Sequence, residues 1–254
     1  MWSLIFSGSL SGLALGLTGG GGSVIAVPLL LYGEHLSAHQ AINISLFSVF
    51  VTALVGTVRF WRKKELHFIA GLLMVLGGAV GAPFGSALNG LFSPQLLTLL
   101  FALLMCFIGA RMWQKARKHP AKKTTKNLKE NQPISKPWLL FAGLLTGILT
   151  GLLGVGGGFL IVPALIFSGR LQMRQAIGTS MLVICITCFV GLTSHLIKDP
   201  SFNFTIAGYF SLGSLLGLFL GTKIARHISS QWLQKGLSIA LFLVGISMLA
   251  EYIL

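Results

Sequence analysis

Two stretches of 33 residues, Met1–Gly33 and Pro137–Gly169, contain no charged side chain, and each carries a run of glycines near its middle. As continuous α-helices they would be ~50 Å long at about 1.5 Å per residue, against a bilayer hydrocarbon core of ~30 Å. The runs are Thr18-Gly19-Gly20-Gly21-Gly22 and Gly154-Val155-Gly156-Gly157-Gly158. Glycine costs about 1 kcal/mol per residue in a helix interior, so a helix stops at each run. Each stretch is therefore a bent span or a re-entrant hairpin of two half-helices.

Only 9% of the chain is charged, where a soluble domain carries about a quarter. Its outer surface would be as apolar as its core, so the expected fold class is an all-α integral membrane protein. No ten-residue alternating strands mark a β-barrel. Further stretches without an internal charge run over Gln40–Val58, Phe68–Arg111 (closed by that arginine and split near Asn89-Gly90 and Ser93-Pro94), Gln175–Ile197, Pro200–Thr222 and Gly236–Ala250. With the split counted, they make eight hydrophobic segments. A first membrane repeat, 1–113, and a second, 138–254, flank a basic linker, 114–137, that reads as a solvated cytoplasmic loop attracted to anionic headgroups. The N-terminus lacks the positive region of a signal peptide and is expected to belong to the mature protein.

The halves repeat. Shifted by 135 residues, Gly8–Phe60 falls on Gly143–His195 with 19 of 53 positions identical, a density that marks duplication. Charge then sets orientation. If all eight segments cross, the basic residues of the connections divide fourteen against five; if segments 1 and 5 are hairpins, they divide eighteen against one. The second obeys the positive-inside rule far better. The bias also swaps between equivalent loops of the two halves, as inverted repeats require. The expectation is two inverted repeats with six crossings, two hairpins and both termini outside; eight crossings is the runner-up.

Both halves carry G-L-x-G-x-G-G followed by V-P and then Q-A-I-x-x-S, from Gly16 to Ser45 and from Gly151 to Ser180. This duplicated motif in a short basic chain of eight apolar segments resembles the TauE/SafE family of membrane transporters. The resemblance implies export or import of small anions, typically sulfite and organosulfonates, across the bacterial cytoplasmic membrane.

Interrupted backbone is tolerated in lipid only where it is buried in protein or lines a wet cavity. The candidate substrate site is therefore Gly19, Gly20, Gly21, Gly22 and Ser23 with Gly154, Gly156, Gly157 and Gly158, the two clusters meeting near the midplane. Free amides where the second half-helices begin would favour an anion. Asn43, Ser45, Thr179 and Ser180 are secondary candidates, with Gln40 and Gln175 nearer the helix starts. Pro28 and Pro163 are expected to fix the bends. Gly77, Gly81 and Gly85, and their mates Gly213, Gly217 and Gly221, form one-turn stripes that read as packing surfaces. Cys185 and Cys188 read as small packing residues rather than a metal or redox pair.

None of the five acids lies mid-segment, so a buried-carboxylate proton relay is not expected, and the coupling ion stays open between H⁺ and Na⁺. No cofactor, metal or nucleic-acid partner is expected. Hydroxyls such as Ser23 lack a membrane-depth His or Asp to activate them, which argues against an enzyme. The leading reading is a secondary transporter of a small anion working by alternating access. An anion channel and a non-transporting assembly factor are the alternatives, and the oligomeric state is left open.

Overall fold

The computed structural model describes residues 2–34, 36–89, 94–118, 136–153, 158–198 and 203–253. Among these the chain is all-α. Helix α1 (Trp2–Thr18) stops at the glycines; α2 (Gly22–Pro28) follows and passes into a π turn over Leu29–Gly33. Pro28 lacks an N–H and crowds the carbonyl four residues back, which accounts for the loosening to π geometry at this point. Ser37 caps α3 (Ala38–Arg62) by accepting from the Gln40 amide at 3.4 Å. Then come α4 (Phe68–Asn89) and α5 (Pro94–Lys118). The second half repeats the order as α6 (Lys136–Leu153), α7 (Gly158–Phe167), α8 (Met173–Lys198), α9 (Phe204–His227) and α10 (Ser230–Ile253). Four of these helices are long and apolar enough to cross a membrane, over Gln40–Arg62, Phe68–Leu88, Met173–Thr193 and Phe204–His227.

Close approach of glycines fixes the helix directions. A Cβ on Gly8 would collide with Phe210 O, on Gly12 with Ser214 O, and on Gly16 it would press on Leu218 O and the Thr222 amide. The residue numbers rise together, so α1 and α9 run parallel. The same holds for α4 and α6: Gly77 abuts Leu140 and Leu144, Gly81 abuts Leu144 and Ile148, and Gly151 abuts Ala82 and Ser86. Each glycine stripe thus packs against another, and the backbones approach as side chains would forbid. The stripes Gly77–Gly81 and Gly213–Gly217–Gly221 are packing surfaces, as their spacing suggests.

Helices in equivalent positions run against each other. Between α3 and α8, Gly191 lies near Leu46, Gly56 on Met181 and Gly178 on Phe60. Between α5 and α10, Ser238 Oγ donates to Gly109 O at 2.6 Å and Gln234 Nε2 to Met112 O at 3.2 Å. Exchanging the halves turns the α1–α9 pair into α6–α4 and maps α3–α8 and α5–α10 onto themselves. Helix α3 runs parallel to α9, with Ser48 Oγ donating to Ser214 Oγ at 2.9 Å and the Arg59 guanidinium over the Phe219 ring.

Within the first half, α2 runs back along α1. Ser11 Oγ donates to Gly22 O at 2.9 Å near the break, and Ser3 Oγ donates to Glu34 Oε2 at 3.0 Å at the other end. Stretch 1–33 therefore returns to the level at which it began. These directions gather the ends of α3, α5 and α9 with the starts of α4, α6, α8 and α10. The described basic residues lie within about two turns of this end, Lys198 excepted.

Candidate functional site

The break after α1 is closed by its own side chains. Gly19 has φ +74, the left-handed conformation that ends a helix and suits glycine. Its amide still donates to Leu15 O at 2.7 Å. Any Cβ here would lie 2.8 Å from Ile177 Cα and 2.7 Å from Ser180 Oγ, so α8 presses directly on the break. Thr18 Oγ1 accepts from the Gly21 amide at 2.8 Å and more loosely from Gly20 at 3.4 Å, while its own proton goes to Ala14 O. Gly22, which opens α2 ahead of Ser23, faces Leu15 and Ser11 O across the hairpin. Thr18 thus satisfies the Gly21 amide and approaches that of Gly20, two of the glycines of the candidate substrate site. Sequence reasoning passed over Thr18, although a hydroxyl residue ahead of a glycine run is the ordinary signature of such a turn.

The two sets of polar candidates have different employments. Ser180 is fully buried and donates to Gly19 O at 2.6 Å, with Ile177 O at 2.8 Å as an alternative acceptor. Its neighbour Thr179 accepts from the His67 amide at 3.0 Å and so secures the start of α4. Gln175 Oε1 accepts from the Gln172 amide at the start of α8. In α3, Asn43 is 5% exposed, and its Oδ1 is buried without a hydrogen-bond partner among the described residues. Ser45 faces a cavity.

That cavity, about 250 Å³, lies among α3, α4, α6, α7 and α8. Ser45 and Val49 contribute from α3, Gly78 from α4, Gly158 from α7, and Thr187 with Cys188 from α8. The Thr146, Thr150 and Thr187 hydroxyls that also line it donate to carbonyls of their own helices. Among the described residues the wall is therefore mainly apolar, and Ser45 adds a hydroxyl to it. Gly154, Gly156 and Gly157 lie outside the described residues.

The expected meeting of the two glycine clusters falls on residues 154–157, outside the described residues, although α2 and α7 touch; the two serines stand at different levels of the α3–α8 pairing. Since Gly56 faces Met181 and Gly178 faces Phe60, Ser180 stands level with Thr57. That is roughly twelve residues, or ~18 Å at 1.5 Å per residue, from Ser45. The cause is the depth of the hairpin: α1 is a 17-residue helix and carries its break well past the middle of α3. The structure joins Gly19 with Ser180, and Gly158 with Ser45, at two separate levels.

Comparison with known proteins agrees with the fold. The family model described as Sulfite exporter TauE/SafE matches residues 4–248. A probable membrane transporter protein of Xylella fastidiosa (strain Temecula1) is 36% identical over 229 residues, 89% of this chain and 85% of that protein. The probable membrane transporter protein YunE of Bacillus subtilis is 26% identical over 265 residues, covering 98% and 97% of the two chains. A probable membrane transporter protein of Methanocaldococcus jannaschii is 28% identical over 260 residues, covering 97% and 94%. These matches run nearly end to end, and the apolar helices are those of a multi-pass membrane protein. The chain belongs to the sulfite exporter TauE/SafE family of membrane transporters.

Proposed function

We propose that the protein is a secondary transporter that moves a small anion, sulfite, an organosulfonate or a related sulfur oxyanion, across the bacterial cytoplasmic membrane by alternating access. Two inverted repeats supply the machinery. Helices α3, α4, α5, α8, α9 and α10 cross, while α1–α2 and α6–α7 form hairpins that enter from opposite faces and return. The basic end is cytoplasmic, and both chain ends are outside. The observation that carries this reading is the exchange of α1–α9 for α6–α4 together with the antiparallel runs of α3 against α8 and α5 against α10. Such a pair of repeats rocking about a shared interface exposes a site to each side in turn.

On this reading the cavity beside Ser45 holds the substrate in one of the two states, and the glycine breaks are the elements that move. Gly78 tests it cleanly, because a Cβ there would sit 3.7 Å from Gly143 O, an ordinary contact, while the rest of a larger side chain would fill the cavity. Proteoliposomes containing the wild-type protein are expected to release trapped sulfite at carrier rates. Gly78→Val is expected to cut that flux at least tenfold with unchanged insertion and thermal stability. Sulfite flux equal to protein-free liposomes would reject the transport reading, and undiminished flux in Gly78→Val would reject the cavity.

A further inference from the structure

Four cations meet where α3 and α9 end and α8 begins. The Arg59 guanidinium lies 5.1 Å from the centre of the Phe219 ring on α9, and its Nη1 is buried with no hydrogen-bond partner among the described residues. Arg174, in the first turn of α8, donates from Nη2 to Arg226 O at 2.9 Å at the end of α9, while its Nε is also buried without a partner among the described residues. The Lys63 ammonium is held below its ordinary range, first by partial burial and then by the charges of Arg59 and Arg226; Glu65 opposes them. The turn that carries Lys63 is fixed in place. The amides of Lys63 and Glu65 both donate to Phe60 O, and Gly178 packs against Phe60 and Glu65 O.

The excess of positive charge at this end is what the positive-inside rule requires. That rule does not ask for cationic N–H groups to be buried without a hydrogen-bond acceptor, which carries a desolvation penalty that an exposed cation avoids. Nor does it ask three cations to converge within mutual repulsion. An anion resolves both penalties, and Arg with its forked donors is suited to oxyanions. All four side chains remain open to solvent in part. The cluster also adjoins the first break: Ile177, one residue before Gly178, touches Gly19, and Thr222, one turn before Arg226, abuts Gly16.

We infer that Arg59, Lys63, Arg174 and Arg226 form a binding site for a small oxyanion at the basic end of the bundle, beside the Gly19 break. The oxyanion is a free sulfite- or sulfate-like solute or the phosphate of a lipid headgroup. Its place on a transport path rests on the function proposed above; binding itself does not.

Thermal unfolding in phosphatidylcholine nanodiscs, titrated with sodium sulfite and with sodium chloride at matched ionic strength, tests the site. Sulfite is expected to stabilise the wild type beyond chloride. In Arg226→Gln, which changes an exposed helix end, and in Arg59→Gln, the half-saturating concentration should rise at least tenfold. Arg117→Gln, at the exposed end of α5, should leave it unchanged. A second arm replaces part of the lipid with phosphatidylglycerol. Stabilisation by that lipid alone, lost in Arg226→Gln, supports the same site with a headgroup as its ligand. Equal titrations for wild type and Arg226→Gln in both arms, or no stabilisation by either oxyanion, would overturn the inference. Sulfite flux that persists with such equal titrations would remove the site and leave the transporter; arginine-dependent binding without any flux would do the reverse.

Discussion

Ser45 and Ser180 hold the same place in the duplicated Q-A-I-x-x-S motif, yet Ser180 is tied to the Gly19 carbonyl while Ser45 lines a cavity. The motif identified both serines; it could not tell them apart, because the difference lies in the opposing residues. Positions that pair under the repeat carry Met74, Ala82 and Thr150 around the cavity. Their mates are Phe210, Leu218 and Leu15, all buried, so that larger leucines stand where the cavity has Ala82 and Thr150. Ser180→Ala should therefore lower stability by about 1 kcal/mol, the worth of one lost hydrogen bond, read as a lower unfolding midpoint in detergent. Ser45→Ala should leave that midpoint unchanged and alter sulfite flux. Thr18→Val leaves the Gly21 amide without its acceptor and should cost ~1–2 kcal/mol in the same assay. The cations at Arg59 and Arg226 were counted in the sequence only as topology signals. Their convergence depends on α3 and α9 running parallel, which no local pattern encodes.

At the scale of helices, the glycines separate into two kinds. Those at four-residue spacing in α1, α4, α6 and α9 lie against neighbouring backbone, whereas Gly208 and Gly236 have nothing among the described residues within 4 Å of where a Cβ would stand. Gly12→Val must force α1 away from Ser214 and is expected to prevent accumulation of folded protein, judged by size-exclusion profile and unfolding midpoint. Gly236→Ala, in an open stretch of α10, should be neutral or stabilising by up to ~1 kcal/mol. Equal behaviour of the two variants would remove the packing role of the stripes. The helix break at Gly19 was legible from glycine's conformational cost, and the start of α9 is explained by Asn203, which caps the Thr205 and Ile206 amides. The π turn after Pro28 was not. Proline announces a disturbance, but whether the helix kinks, ends or loosens is decided by what packs on it.

For the whole molecule, the repeat and the charge counts point to a hairpin at 1–33, and α2 runs back along α1. The depth of the Gly19 break was not legible, since the length of a half-helix says nothing about the level at which its partner stands. Central to the account is that stretch 1–33 enters and leaves on one face, so that six helices cross and both chain ends lie opposite the basic linker. The direct measurement is labelling of intact cells by a membrane-impermeant maleimide. The protein would have Cys106, Cys185 and Cys188 replaced, and single cysteines would be added at either chain end or at Thr124 in the linker. The account predicts labelling of both ends in intact cells and of the linker only after the membrane is opened. Chain ends that react only after permeabilisation would contradict it and favour eight crossings.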